Sequence, residues 1–257
     1  MMSLDHIGLV GSSMAPLRQA WIAAGFFVTE PEELMGLDPT TGRHFSLGQH
    51  SCHIILERGY IELTAVDVVT PKHHLYPWIR DHVSLGIIAI GVHDIESAHA
   101  RLMRLRVPVG SLAKASRPIH YGARRGEALF SWFALDAAST PEALMCFVRN
   151  ERPELIYQPE VQQHPNGARF LDSVIVCASE PSLVAARYSS YFDSTPLEAG
   201  PRLLQCPLSG GSVWIGDAEA LENRFGVDVP RGGSDAPRAV GFGVLPSGQI
   251  YWVPEGT

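Results

Sequence analysis

Apolar positions along this chain fall into short runs of two alternating periods. Residues 4–10, Leu4-Asp5-His6-Ile7-Gly8-Leu9-Val10, form a run of strand length. Leu17, Trp21 and Ala24 then lie at helical spacing, which predicts a helix from Met14. Ser12 or Ser13 can cap it, Pro16 sits in its first turn and Gly25 stops it. Residues 26–29, 52–57 and 60–66 read as three strands, the last two joined through Arg58-Gly59. The unit is one strand, one helix and three strands.

That unit recurs. Residues 86–92 predict a strand, His93-Asp94 opens a helix to about residue 105, and strands follow at 107–109, 129–135 and 144–149. A third copy begins at Leu171-Asp172-Ser173. Its helix opens at Ser179 and Pro181 and runs through 183–191, with strands at 202–207 and 212–215. Residues 239–244 and 249–253 make a shortened fourth copy with no helix. Between the second and third copies, Pro153, Pro159 and Pro165 mark a linker. The predicted organisation is a paired module over 1–150, a linker over 151–167, and the third unit plus truncated fourth over 168–257.

With 46% apolar and 18% charged residues in 257, disorder, a coiled coil and a collagen-like array are excluded. A net charge of −7 without a Lys/Arg stripe argues against nucleic-acid binding. No apolar run approaches the roughly 18 residues of a membrane span, and the start shows no basic-then-apolar leader. Cys52, Cys146, Cys177 and Cys206 are scattered without a C-x-x-C pair, so reduced thiols and a cytoplasmic location are expected.

Candidate chemistry comes from polar residues that interrupt apolar strands. A carboxylate at Glu62, between Ile61 and Leu63, is costly unless it meets a polar cavity or a partner. If Arg58-Gly59 is a two-residue turn, Ile55 lies opposite Glu62 and His53 opposite Thr64. Positions 53, 55, 57, 60, 62 and 64 then share a face, which brings His53 and Tyr60 beside Glu62. Arg117 to Gly126 reads as a basic loop. In it His120 and Tyr121 serve as acid, base or anion contacts, or the loop is a solvated turn. Trp132, Phe130 and Phe133 read as core aromatics, one or two of which wall a pocket. Arg149 either grips a carboxylate or closes a salt bridge at a strand end. His73 and His74 read as exposed linker residues, and His164 as part of a turn.

Leu4-Asp5-His6-Ile7, residues 56–63 (Leu-Glu-Arg-Gly-Tyr-Ile-Glu-Leu), residues 152–159 and residues 164–168 resemble the glyoxalase-like domain proteins of the vicinal oxygen chelate superfamily, which also holds glyoxalases, bleomycin-resistance proteins and dioxygenases. The resemblance implies an α+β fold of tandem βαβββ modules whose sheets curl into half-barrels, the second pair being degenerate. It also implies a divalent metal (Zn, Fe, Mn, Ni or Co) on the concave floor, held by His6 and Glu62. The second unit offers Ile87 and Arg149 at the matching positions, and neither can ligate. His53 could complete a two-His-one-carboxylate set, or Arg149 could pair with Glu62 in the metal's place.

Two function classes stay open. One is a lyase, isomerase or dioxygenase acting on a small oxygenated molecule, with the metal as Lewis acid and Glu62, His53 or His120 handling the proton. The other is a metal-free binding or sequestering protein of the bleomycin-resistance type, its cup lined by Tyr60, Trp132, Arg149 and Tyr121. Either way the expected partner is a small molecule, with neither nucleic acid nor membrane, and a homodimer is left open.

Overall fold

In the computed structural model, which describes residues 2–38, 40–226, 228–229 and 237–253, the first two units close on each other as one eight-stranded barrel. The first unit contributes β1 (Met2–Gly11), α1 (Met14–Ala23), β2 (Glu32–Leu37), β3 (His44–Ile55) and β4 (Tyr60–Val66). The second contributes β5 (Ser84–Val92), α2 (Ile95–Arg104), β6 (Ala113–Ile119), β7 (Gly126–Ala134) and β8 (Leu144–Asn150). Around the barrel the order is β1-β4-β3-β2-β6-β7-β8-β5. Within each unit the first and last strands run parallel, β1 with β4 and β5 with β8. The units join through two antiparallel seams, β1–β5 and β2–β6. The expected half-barrels therefore meet edge to edge, and closure removes their free edges.

Both strand faces are covered. Ile7, Leu9, Ile61, Leu63, Ile88 and Ile90 point outward into a core beneath α1, α2 and a second sheet. Ile55, Tyr60, Ile87, Ala89, Phe130 and Leu144 point into the barrel. This is why β4 is buried at every position and reads as an unbroken apolar run.

The second strand of each unit lies later than the sequence predicts. Residues 26–29 pair with no strand; Thr29 instead donates its N–H to the His53 carbonyl, and its hydroxyl accepts the His53 N–H. The strand is β2. In the second unit Val109 makes one isolated bridge to Leu135, and the strand is β6. Both true strands are polar stretches, and they find each other across a barrel seam, a pairing local pattern does not encode.

The β3–β4 hairpin differs in register. Ile55 faces Tyr60, His53 faces Glu62 and Ser51 faces Thr64. The turn spans four residues, with the Leu56 N–H donating to the Gly59 carbonyl, because Arg58 is drawn into a bridge with Phe170. A two-residue slip preserves which face each side chain occupies. It moves His53 from a diagonal position to directly across from Glu62.

After the short α3 (Pro153–Ile156), the chain builds β9 (Phe170–Cys177), α4 (Pro181–Phe192), β10 (Leu197–Gly200), β11 (Leu203–Leu208), β12 (Gly211–Gly216), α5 (Ala218–Phe225), β13 (Arg238–Leu245) and β14 (Gln249–Trp252). The sheet order is β10-β11-β12-β9-β13-β14. Parallel β9–β12 and antiparallel β9–β13 repeat the geometry of β1 with β4 and β5. One face, with Val174, Val176, Phe242 and Val244, packs on the outside of the barrel. The face that corresponds to the barrel interior carries Ile175, Cys177 and Val240 and is filled by Leu221 of α5. Helix α5 is an addition to the unit that the repeat does not predict. All four cysteines are buried and none is in a disulfide, and no helix among the described residues is long and apolar enough to cross a membrane.

Candidate functional site

The site begins with an irregularity in β1. Its pairing with β5 shifts register between Leu4 and His6, so Leu4 and Ile7, three residues apart, both face the outer core. His6 is thereby turned into the barrel. Regular alternation would send residue 5 to the opposite face, whereas the bulge leaves Asp5 alongside His6. Asp5 Oδ1 lies 2.7 Å from His6 Nδ1, and Asp5 Oδ2 accepts from Asn150 Nδ2 at 2.9 Å. One ring nitrogen is held from behind, and Nε2 faces the cavity.

Glu62 comes from the adjacent parallel strand, and both it and His6 are 7% exposed. Its Oε1 accepts from Ser51 Oγ at 2.6 Å and from Thr64 Oγ1 at 2.8 Å. Its Oε2 stands 3.6 Å from His6 Nε2. That gap is too long for a hydrogen bond and leaves both atoms open to a third group. Tyr60 stacks on the His6 ring at 4.3 Å, and His53 meets Tyr60 edge-on at 5.6 Å. Burial, then the charges of Arg117 and His6, hold the His53 ring well below the ordinary imidazole range, so it is neutral. Burial and the Asp5 carboxylate push the Tyr60 phenol up.

Opposite this cluster stands Arg117, which the sequence places in a loop. It lies in β6 and is 3% exposed. Its guanidinium carbon sits 5.6 Å from the Tyr60 ring centre and 5.8 Å from that of Phe130. His74, expected to be an exposed linker residue, also lines the cavity, where burial brings it down to about 4. Apolar side chains, among them Ile87, Phe130, Trp132, Leu144 and Val148, complete a cavity of about 80 Å³.

The barrel thus gathers His6, His53, Tyr60, Glu62 and Trp132 from the expected residues and leaves three outside. Arg149 does not face Glu62. Its neighbour Val148 points inward, so strand alternation turns Arg149 outward, where it binds Glu151 at 2.7 Å and lies 3.6 Å from Glu96. His120 sits in the turn after β6, exposed and paired with Glu32. Tyr121 is half-buried and donates to the Ile156 carbonyl at 3.4 Å rather than lining the cavity. Asp5 and Arg117, with His74 and Gln49, are site residues that sequence reasoning misses. Asp5 lies in plain view in Leu4-Asp5-His6, but only the bulge gives it a role. Arg117 is disguised by Pro118 and by the basic turn after it.

These residues do not fit a divalent metal. Among the described residues no three His, Cys, Asp or Glu side chains are grouped to hold one. The second unit turns Ile87, Leu144 and Val148 to the cavity, and burial pushes up the Cys146 thiol, far from the thiolate a metal takes. His6, His53 and Glu62 share the cavity, yet they are not grouped as the three protein ligands that zinc sites draw on. Arg117 adds a positive charge that repels a cation.

The sequence matches the family described as glyoxalase-like domain over residues 4–192. No curated protein matches the chain. A hypothetical protein from Staphylococcus aureus superposes with a TM-score of 0.62 at 15% identity, over 84% of this chain and 86% of that one. A mutant of 4-hydroxymandelate synthase from Streptomyces coelicolor superposes with a TM-score of 0.51 at 16% identity, over 94% of this chain and 70% of that one. At such identities the likeness is one of fold.

Proposed function

Because this chain belongs to the glyoxalase-like domain family of the vicinal oxygen chelate superfamily, we propose that its barrel takes up one small molecule and moves a proton on it through Glu62 and His6, with no divalent metal. The observation that carries this reading is the 3.6 Å gap between His6 Nε2 and Glu62 Oε2 inside a buried cavity. Each atom is aimed there by its own partners, Asp5 behind the imidazole and Ser51 with Thr64 on the far carboxylate oxygen. A ligand placed against both gives a proton from an activated carbon or hydroxyl to Glu62 Oε2. His6 Nε2, protonated, delivers one to a neighbouring ligand atom, and the pair is reset by passing the proton back. Atoms balance, so the reaction is of isomerase type. The apolar wall keeps water from competing for the proton.

The test is solvent-deuterium incorporation, followed by NMR, into small 2-oxo acids and α-hydroxy ketones, using chelator-treated protein shown to be metal-free. Wild type is expected to catalyse exchange, and Glu62→Gln to slow it by about 10²–10⁴-fold, the usual weight of a general base. His6→Ala is expected to fall in the same direction. Exchange that appears only on adding a divalent metal would overturn the reading, as would unchanged exchange in both variants. A protein that binds these molecules without exchanging them would be a sequestering protein, the reading that the predominantly apolar wall favours.

A further inference from the structure

The same cavity holds a charge that the protein itself leaves unanswered. Arg117 is almost wholly buried, yet its Nε and Nη2 have no hydrogen-bond partner. The Tyr60 and Phe130 rings offer their faces at cation–π range, but a ring accepts charge and leaves N–H groups unsatisfied. The cavity's own carboxylate makes no ion pair with it: one Glu62 oxygen takes Ser51 and Thr64, and the other stands 3.6 Å from His6 Nε2. A desolvated guanidinium without an acceptor is strongly unfavourable, and a fold retains one where a ligand supplies the missing anion.

The unpartnered atoms define that anion. Nε–H and the adjacent Nη2–H lie along one edge of the guanidinium, at the spacing of the two oxygens of a carboxylate. A single positive charge in a cavity that also holds Glu62 suits a monoanion better than a phosphate dianion. Gln49 also lines the cavity, and its Oε1, buried and without a partner, can take a hydroxyl donor. The space among these side chains, about 80 Å³, accommodates the body of a short acid.

We propose that the ligand is a short carboxylic acid bearing a hydroxyl. Arg117 grips its carboxylate through two parallel hydrogen bonds, Gln49 takes its hydroxyl, and its apolar body lies against Ile87, Leu144 and Val148. This assignment rests on the barrel interior being the binding cavity, and it is independent of the proton-transfer step.

The test is ligand-observed NMR titration of the full chain with 2-hydroxyisobutyrate, with its uncharged amide, 2-hydroxyisobutyramide, and with inorganic phosphate. The acid is expected to bind at least about tenfold more tightly than the amide, the equivalent of one charge-assisted hydrogen bond, and phosphate more weakly than the acid. Arg117→Met is expected to erase the preference for the acid while melting no lower than wild type without ligand, since it removes an unpaired buried charge. Arg117→Gln makes the same comparison should the Met variant not fold. Equal binding of acid and amide, preference for phosphate, no binding by any of the three, or an intact acid preference in the Arg117 variants would overturn the proposal. Glu62→Gln separates the two readings: exchange unchanged in that variant, with the acid still preferred, means that only the proton-transfer reading fails. Continued exchange on neutral hydroxy ketones with no acid preference means that only the carboxylate assignment fails.

Discussion

His164 reads from sequence as part of a turn, and in the fold it staples three segments together. Its Nδ1 accepts the Phe27 N–H at 3.1 Å and its Nε2 lies 3.0 Å from the Ile55 carbonyl, so the neutral ring carries its proton on Nε2. A proton on Nδ1 would set two donors against each other, and burial already lowers this group below the ordinary 6.5. His53 and His74 are lowered by burial as well, His74 to about 4. A histidine lowered in the folded state adds stability that is fully present above 6.5, and that stability is lost as pH falls toward the folded value. Urea unfolding free energy is therefore expected to be level near neutral pH and to decline from about 6.5 downward. His164→Ala is expected to cost about 2 kcal/mol at neutral pH, for two unpaired backbone groups, and to show a shallower acid decline. An unchanged slope would remove His164 from the account. Such roles are illegible in sequence because the partners lie more than a hundred residues away. His6 and Glu62 are legible because each breaks an apolar strand, whereas Asp5 depends on a bulge that no local pattern announces.

Among the elements, first strands, last strands and helices α1, α2 and α4 follow from hydrophobic period; of these helices only α2 has a side-chain cap, Asp94 accepting the Ser97 N–H at 2.8 Å, while Ser13 before α1 and Glu180 before α4 make no such bond. Strands β2 and β6 do not, since their character comes from a seam formed between residues about eighty apart. The β3–β4 turn is two residues longer than local pattern predicts because its length is set by Arg58 docking on β9, a tertiary demand on a local element. Gly59 is where that demand concentrates. Its φ is +76°, and a Cβ there would stand 2.9 Å from Leu171 Cβ and 3.0 Å from the Asp5 carbonyl oxygen. Gly59→Ala is therefore expected to destabilise by more than about 1 kcal/mol, from the left-handed backbone alone. The crowding also displaces the residue that orients His6. Urea denaturation should show the first effect, and loss of deuterium exchange at temperatures where the variant stays folded should show the second. A variant with wild-type stability and exchange would mean that the turn is loosely tied to β9.

At the scale of the molecule, a boundary near residue 150 separates the two sheets, yet the barrel leans on the sheet beyond that boundary. Helices α1 and α2 lie over β3–β4 and β7–β8, while the outer face of the β1–β5 seam lies against β9 and β13. Ile7, Leu9, Ile88 and Ile90 meet Val174, Val176, Phe242 and Val244 in one continuous core. Backbone groups tie the layers as well, with the Leu4 N–H donating to the Gly210 carbonyl and the Ser209 N–H to that of Met2. Glu142, its side chain fully buried before β8, binds Arg187 at 2.7 Å and Tyr188 on α4. Glu142→Ala is expected to cost about 3 kcal/mol, as breaking a buried pair does. Removing the second sheet costs more. Four barrel side chains returned to water at about 1.5–3 kcal/mol each forfeit on the order of 6–12 kcal/mol, comparable with the roughly 5–15 kcal/mol that holds a whole domain folded. A chain ending at residue 167 is thus expected to elute from size exclusion as aggregate and to melt without a cooperative transition by circular dichroism. A monomeric, cooperatively melting fragment that still binds 2-hydroxyisobutyrate would make the paired module autonomous, and the second sheet would then be an attachment to the barrel and not its fourth wall of core.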